Sequence, residues 1–191
     1  MAAVIDSIGE RVNVLGHSFS AVCALEAALL TPNISKLILY EPPPPGVKGL
    51  LPPDIATRMQ ARLASGDREG VVVTALLEVA QLTPGELELM RSLPAWQGRV
   101  AAAHTILREI NGIEAHPPFE AARFKALKTP TLLLLGGDSA AVYRESTERI
   151  HAMLPNSRIA VMPGQQHVAM NTAPDLFVRE VLAFLLDPPD S

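Results

Sequence analysis

The chain has 191 residues, of which 48% are hydrophobic and 19% charged, and its formal net charge is −4. This length suits one domain with an inserted subdomain and is long enough to bury a substantial core. The weak acidity argues against a nucleic-acid-binding protein, which normally carries a basic face. The high apolar content and the lack of low-complexity blocks argue against disorder.

The remaining composition argues against secreted, metal-binding and membrane-spanning proteins. The single cysteine, Cys23, excludes an internal disulfide and a cysteine-rich zinc site. The first eleven residues lack the basic and apolar regions of a signal peptide. The apolar stretch 21–30 is interrupted by Glu26 and is too short to span a bilayer. We therefore expect a soluble, cytoplasmic protein with no metal and no cofactor.

The first forty residues alternate between helical and strand patterns. Apolar residues at helical spacing up to Ile8 indicate a short opening helix, and residues 12–15 form a β-branched run typical of a strand. An Ala- and Leu-rich helix is predicted over 21–30, followed by a strand over 34–40. This alternation predicts a parallel sheet.

The middle of the chain, residues 46–118, lacks this alternation and is predicted to be a helical insertion. Proline-rich borders at 42–45 and 117–118 enclose it, and its predicted helices cover 55–64, 70–82, 84–93 and 100–110. The α/β alternation then resumes, with strands at 131–135 and 158–162 and helices at 143–154 and 175–186. The predicted organisation is therefore a core of residues 1–45 and 119–191, with residues 46–118 between its parts.

The segment Gly16-His17-Ser18-Phe19-Ser20 lies between a predicted strand and a predicted helix. A nucleophile elbow occupies this position in proteins that use a serine nucleophile, because a sharp turn there raises the hydroxyl above the strand ends. The small residue Gly16 lets such a turn close. The alternative is that Ser18 only caps the following helix, a position that serine favours.

This motif and its setting resemble the α/β-hydrolase superfamily, specifically the lidded, esterase-like members with a Gly-His-Ser-Phe-Gly elbow, although this chain has Ser20 at the fifth position. The resemblance covers essentially the whole chain. It implies the C-terminal half of an α/β-hydrolase parallel sheet, with a helical lid inserted between strands. It also implies catalytic residues in the order serine, acid, histidine.

The resemblance places the histidine at His167, in the segment Pro163-Gly164-Gln165-Gln166-His167 after the last predicted strand. An imidazole there could accept and return the proton of the serine. The alternative is an exposed loop histidine. The other four histidines suit this role less well. His104 and His151 fall within predicted helices, and His116 borders the insertion. His17 is expected to pack or to support the oxyanion loop.

The acid has two candidates. Asp138 follows the strand 131–135 and is the favoured choice, although the resemblance places the acid three residues after Gly136, where Ser139 stands. Glu41, after the preceding strand, is the alternative, because some family members take their acid there. Either carboxylate could instead be structural, with Asp138 as a helix N-cap and Glu41 as a hydrogen-bond acceptor that anchors the lid.

The resemblance also implies that strands precede the elbow and that one of their loops supplies an oxyanion donor, whereas only 17 residues precede Ser18 here. The other donor, the backbone N–H of Phe19, is present. We therefore expect a chain that is poorly stable, inactive, or self-associating through the strand Val12–Leu15, which would lie at an edge.

The function predicted from these residues is serine-dependent hydrolysis of a small, mostly apolar ester-like or activated carbonyl substrate through an acyl-enzyme. The insertion would supply an apolar ceiling over the serine. The expected partner is this small molecule, with neither nucleic acid nor membrane. The alternative is a catalytically silent, N-terminally truncated hydrolase fragment or an interaction module.

Overall fold

The computed structural model describes residues 1–44 and 51–187. The chain divides into two compact units, one formed by residues 1–44 and 119–191 and the other by residues 45–118. Residues 46–50 of the predicted insertion lie outside the described residues, as do 188–191. We refer to the first unit as the sheet unit and to the second as the helical unit.

The sheet unit contains four parallel strands in the order β1–β2–β3–β4. Their bounds are Val12–His17 for β1, Ile34–Tyr40 for β2, Thr131–Gly136 for β3 and Ser157–Met162 for β4. All three strand pairs are parallel, so the carboxyl ends of the strands meet at one edge of the sheet. This confirms the predicted α/β fold with a parallel sheet.

Helices before, between and after the strands of the sheet unit cover both faces of the sheet. They are α1 (Ala2–Ser7), α2 (Phe19–Ala28), α8 (Ala121–Phe124), α9 (Ala141–Met153), α10 (Ala169–Thr172) and α11 (Pro174–Leu186). Leu37 and Leu39 pack in a core with α1, α2, α8 and α9, whereas Ile38 and Tyr40 pack in a second core with α10 and α11. Burial on both faces explains why the central strands are nearly continuous apolar runs.

The helical unit consists of short helices. They are α3 (Ile55–Ala64), α4 (Arg68–Thr74), α5 (Pro84–Ser92), α6 (Trp96–Ala101) and α7 (Ile106–Ala115). Its buried apolar side chains include Met59, Leu76, Met90 and Trp96. In the described part of the chain, none of the helices is both long and apolar enough to cross a membrane.

Several predicted boundaries differ from the structure. The predicted helix 70–82 is instead α4 followed by a π-helical turn over Ala75–Val79, and Gln81 beyond it has a φ of 57°. The predicted helix 100–110 is divided by a 3-10 turn over Ala103–Thr105. Apolar periodicity does not detect such changes of helical pitch, because each lasts about one turn, which is too short for its apolar spacing to differ recognisably from that of an α-helix.

Strand β1 is an outer strand of the sheet that the described residues form, and the side chain of Leu15 within it is 42% exposed. An outer strand offers one row of unpaired backbone groups to another strand. We expect this chain to self-associate through β1, and Leu15→Lys to shift it towards monomer, since a lysine on an edge strand opposes pairing.

Sedimentation velocity over a range of concentrations measures this association. The matched control is Leu186→Lys, which places the same charge on a 79%-exposed leucine at the end of α11 and should leave association unchanged. A wild-type chain that remains monomeric at every concentration contradicts the prediction.

Candidate active site

Ser18 forms the sharp turn between β1 and α2. The strand ends at His17 and the helix begins at Phe19, so Ser18 alone joins them, with φ 54° and ψ −126°. A non-glycine residue in this left-handed region is strained and persists only where its surroundings hold it. The Ser18 N–H donates to the carbonyl oxygen of Tyr40 at 2.9 Å, which fixes the turn to the end of β2.

Gly16 and Ser20 allow this turn to close. A Cβ atom on Gly16 would lie 2.5 Å from the backbone oxygen of Ser20 and 2.6 Å from Cα of Ala21, so strand and helix can approach only over glycine. The Ser20 hydroxyl donates to the carbonyl oxygen of His17 at 2.8 Å and accepts from the His17 N–H at 2.9 Å. The exposed Ser20 side chain thus bonds back to the strand, which explains how serine fits at the fifth position.

His167 lies in the loop between β4 and α10 and is only 4% exposed. Its Nδ1 lies 2.7 Å from Oε2 of Glu41. An ionised carboxylate only accepts hydrogen bonds, so Nδ1 carries the proton of this contact. In a neutral ring the lone pair is then on Nε2, the nitrogen that can take a proton from a hydroxyl.

Glu41 follows β2 directly, adopts a φ of 44° and is fully buried. Its Oε1 accepts from the N–H of Gly136 at 2.7 Å and from the hydroxyl of Ser139. A buried carboxylate is tolerated when hydrogen bonds replace its lost hydration. The last residue of β3, a residue just after it and His167 after β4 bond to Glu41, so three strand ends meet at this carboxylate.

The preferred pairing of His167 with Asp138 is therefore wrong, and the alternative residue Glu41 makes the contact. Asp138 is exposed, and its backbone N–H donates to the carbonyl oxygen of Gln165 at 2.9 Å. Ser139, one residue further on, is the side chain that reaches Glu41. Asp138 is not the N-cap of α9 either, because Ala140 occupies that position.

The sequence does not predict which aromatic rings lie against His167. Tyr143, near the start of α9, stacks on the imidazole with ring centroids 4.2 Å apart, and the ring of His17 lies at 4.5 Å. Burial, with a further contribution from the Glu41 carboxylate, raises the pKa of the Tyr143 phenol above its usual value, so this side chain stays neutral beside the pair. Apolar periodicity in the sequence could not separate Tyr143 from an ordinary core residue.

Phe19 begins α2, so its N–H belongs to the first helical turn, where N–H groups lack intrahelical acceptors. Its position directly after Ser18 matches the place expected for an oxyanion donor. Within residues 1–44 and 51–187, no cluster of three or more His, Cys, Asp or Glu side chains could hold a metal ion.

Comparisons with known proteins agree with this architecture. A family model described as "Alpha/beta hydrolase family" matches residues 1–180. A solved α/β hydrolase from Sphaerobacter thermophilus is 32% identical, with a TM-score of 0.77, over 96% of this chain and 71% of the other. The fold also resembles a bromoperoxidase from Bacillus anthracis, at 18% identity and a TM-score of 0.72, over 96% of this chain and 71% of the other.

Two curated relatives carry the name "Putative carbamate hydrolase RutD". The relative from Pseudomonas savastanoi is 25% identical, over 97% of this chain and 72% of its own length. The relative from Azorhizobium caulinodans is 26% identical, over 96% of this chain and 70% of its own length. Both alignments extend over nearly all of this chain.

The elbow yields a prediction about Gly16. We expect Gly16→Ala to lower the free energy of unfolding of the sheet unit by about 1–3 kcal/mol, because the added methyl group collides with the backbone of α2. Thermal and urea denaturation followed by circular dichroism measure the change. Gly85→Ala is the control, because nothing lies within 4 Å of its added Cβ. Equal stability of the two variants would contradict the prediction.

Proposed function

Because the chain belongs to the alpha/beta hydrolase family, we propose that it is a serine hydrolase with Ser18 as nucleophile, His167 as general base and Glu41 as the acid. The observation that carries the proposal is the buried contact of 2.7 Å between His167 and Glu41. It favours one imidazole tautomer and stabilises the imidazolium that forms when His167 takes a proton. The strained turn at Ser18 is the second support.

The proposed reaction has two proton-balanced steps. In acylation the Ser18 oxygen bonds to the substrate carbonyl carbon while its proton passes to Nε2 of His167, which then protonates the departing group as its bond breaks. In deacylation a water molecule gives a proton to His167, and the water oxygen bonds to the acyl carbon. The Ser18 oxygen then leaves with that proton, which restores the enzyme.

The Phe19 N–H is the oxyanion donor in this proposal. The negative charge that develops on the carbonyl oxygen would lie at the N-terminal end of α2, where the helix dipole also favours it. The proposed substrate is a small, mostly apolar ester-like carbonyl compound. The names of the two curated relatives make a carbamate one member of this class to test.

We expect a fluorophosphonate probe to label the wild-type chain at Ser18, because such probes phosphonylate a serine activated by a neighbouring base. Ser18→Ala should abolish labelling, and His167→Ala should slow it by about a hundredfold or more. Peptide mapping by mass spectrometry locates the label. Ser92→Ala, which removes an exposed hydroxyl in α5, should label like wild type.

Labelling that persists in Ser18→Ala would contradict Ser18 as the nucleophile. A folded wild-type chain that neither labels nor hydrolyses p-nitrophenyl acetate would favour a catalytically silent protein instead.

Isosteric amide substitutions distinguish Glu41 from Asp138 as the acid. We expect Glu41→Gln to lower the rate of p-nitrophenyl acetate hydrolysis by about 10³–10⁴-fold, because an amide can stabilise the wrong imidazole tautomer and carries no charge. Asp138→Asn, the matched control on an exposed side chain, should stay within about twofold of wild type. The reverse outcome would return the acid role to Asp138.

A further inference from the structure

Two side chains, one from β1 and one from β2, form hydrogen bonds with the backbone around His167. The loop between β4 and α10 presents the carbonyl oxygens of Gln166 and His167, and α10 begins with the N–H of Ala169. These three backbone groups bond to the side chains of His17 and Tyr40. We call His17 and Tyr40 the loop clamp.

Tyr40 is the last residue of β2 and is fully buried. Its hydroxyl donates to the carbonyl oxygen of Gln166 and accepts from the N–H of Ala169 at 3.0 Å. One phenol thus bonds to the backbone on both sides of His167. Phenylalanine would fill the same buried space, so what the hydroxyl adds is the pair of hydrogen bonds that hold the loop.

His17 is the last residue of β1 and directly precedes Ser18. Its Nε2 lies 2.8 Å from the carbonyl oxygen of His167, and because a carbonyl oxygen only accepts, Nε2 is the donor. His17 and Tyr40 are register partners across β1 and β2, and their rings lie 5.0 Å apart. The clamp therefore joins the strand ends that carry Ser18 and Glu41 to the loop that carries His167.

The contact with Glu41 orients the imidazole of His167, but the position of the ring relative to Ser18 also depends on the backbone of residue 167. Misplacement of a reacting group by about 1 Å can cost about a hundredfold in rate. We propose that His17 and Tyr40 are positioning residues that set the position of His167 for proton transfer from Ser18. This inference rests on the function proposed above.

Three variants test the clamp while limiting changes in packing. Tyr40→Phe keeps the ring and removes both hydrogen bonds. His17→Leu removes the donor, and His17→Gln retains a side-chain N–H donor. We expect Tyr40→Phe and His17→Leu to lower kcat for p-nitrophenyl acetate, and the rate of fluorophosphonate labelling, by about tenfold. KM should change little, and His17→Gln should recover part of the loss.

Matched controls separate positioning from general loss of stability. Thr147→Val removes a fully buried hydroxyl that makes no hydrogen bond in the described part of the chain. His151→Leu removes an exposed histidine that bonds locally to Ser157. Both controls should keep wild-type kcat. A loss in the controls equal to that in Tyr40→Phe and His17→Leu would overturn the proposal.

Nuclear magnetic resonance gives a readout that does not depend on activity. We expect Tyr40→Phe to speed hydrogen exchange of the Ala169 amide, and His17→Leu to broaden the downfield Nδ1 proton signal of His167, while both proteins keep their overall fold. Unchanged kcat in both variants, with His167→Ala inactive, would overturn the clamp alone. Full activity in Ser18→Ala and His167→Ala would overturn the proposed function, and the catalytic role of the clamp with it.

Discussion

The buried contact between Glu41 and His167 is the interaction on which the arrangement of the strand ends depends. A carboxylate with no exposed surface needs hydrogen bonds to replace water, and Glu41 obtains them from Gly136, Ser139 and His167. These partners lie at the end of β3 or after β3 and β4, whereas Glu41 follows β2. Satisfying one buried charge therefore requires three parallel strands to be in register at their carboxyl ends.

The same edge of the sheet holds two strained residues. Ser18 and Glu41 both adopt positive φ at the position directly after a strand, and the N–H of each bonds to a neighbouring strand, at Tyr40 and Leu134 respectively. These hydrogen bonds to neighbouring strands offset the backbone strain at Ser18 and Glu41. Gly16 allows the close approach of strand and helix that the turn at Ser18 needs. The chemistry we propose depends on this strain, because it places the hydroxyl beyond the strand end.

The choice of acid shows where reasoning along the chain fails. Asp138 and Glu41 each follow a strand, and β2 and β3 are neighbours, so both positions lie at the same edge. The turn after Gly136 leaves the Asp138 side chain exposed and brings the Ser139 hydroxyl to Glu41. In the sequence, Asp138 lies one position before the place where the resemblance expects the acid. The sequence does not show that Ser139, at that place, donates a hydrogen bond to Glu41.

The sequence by itself determined the parallel α/β sheet, the elbow between β1 and α2, and the position of His167 after the last strand, because hydrophobic periodicity and turn residues act over short distances. The tertiary structure decided the partner of His167, its stacking on Tyr143, and the hydrogen bonds from His17 and Tyr40 to its loop. These contacts join residues about 25 to 150 positions apart in the chain. Local patterns carry no information about such pairs until the strands are set side by side.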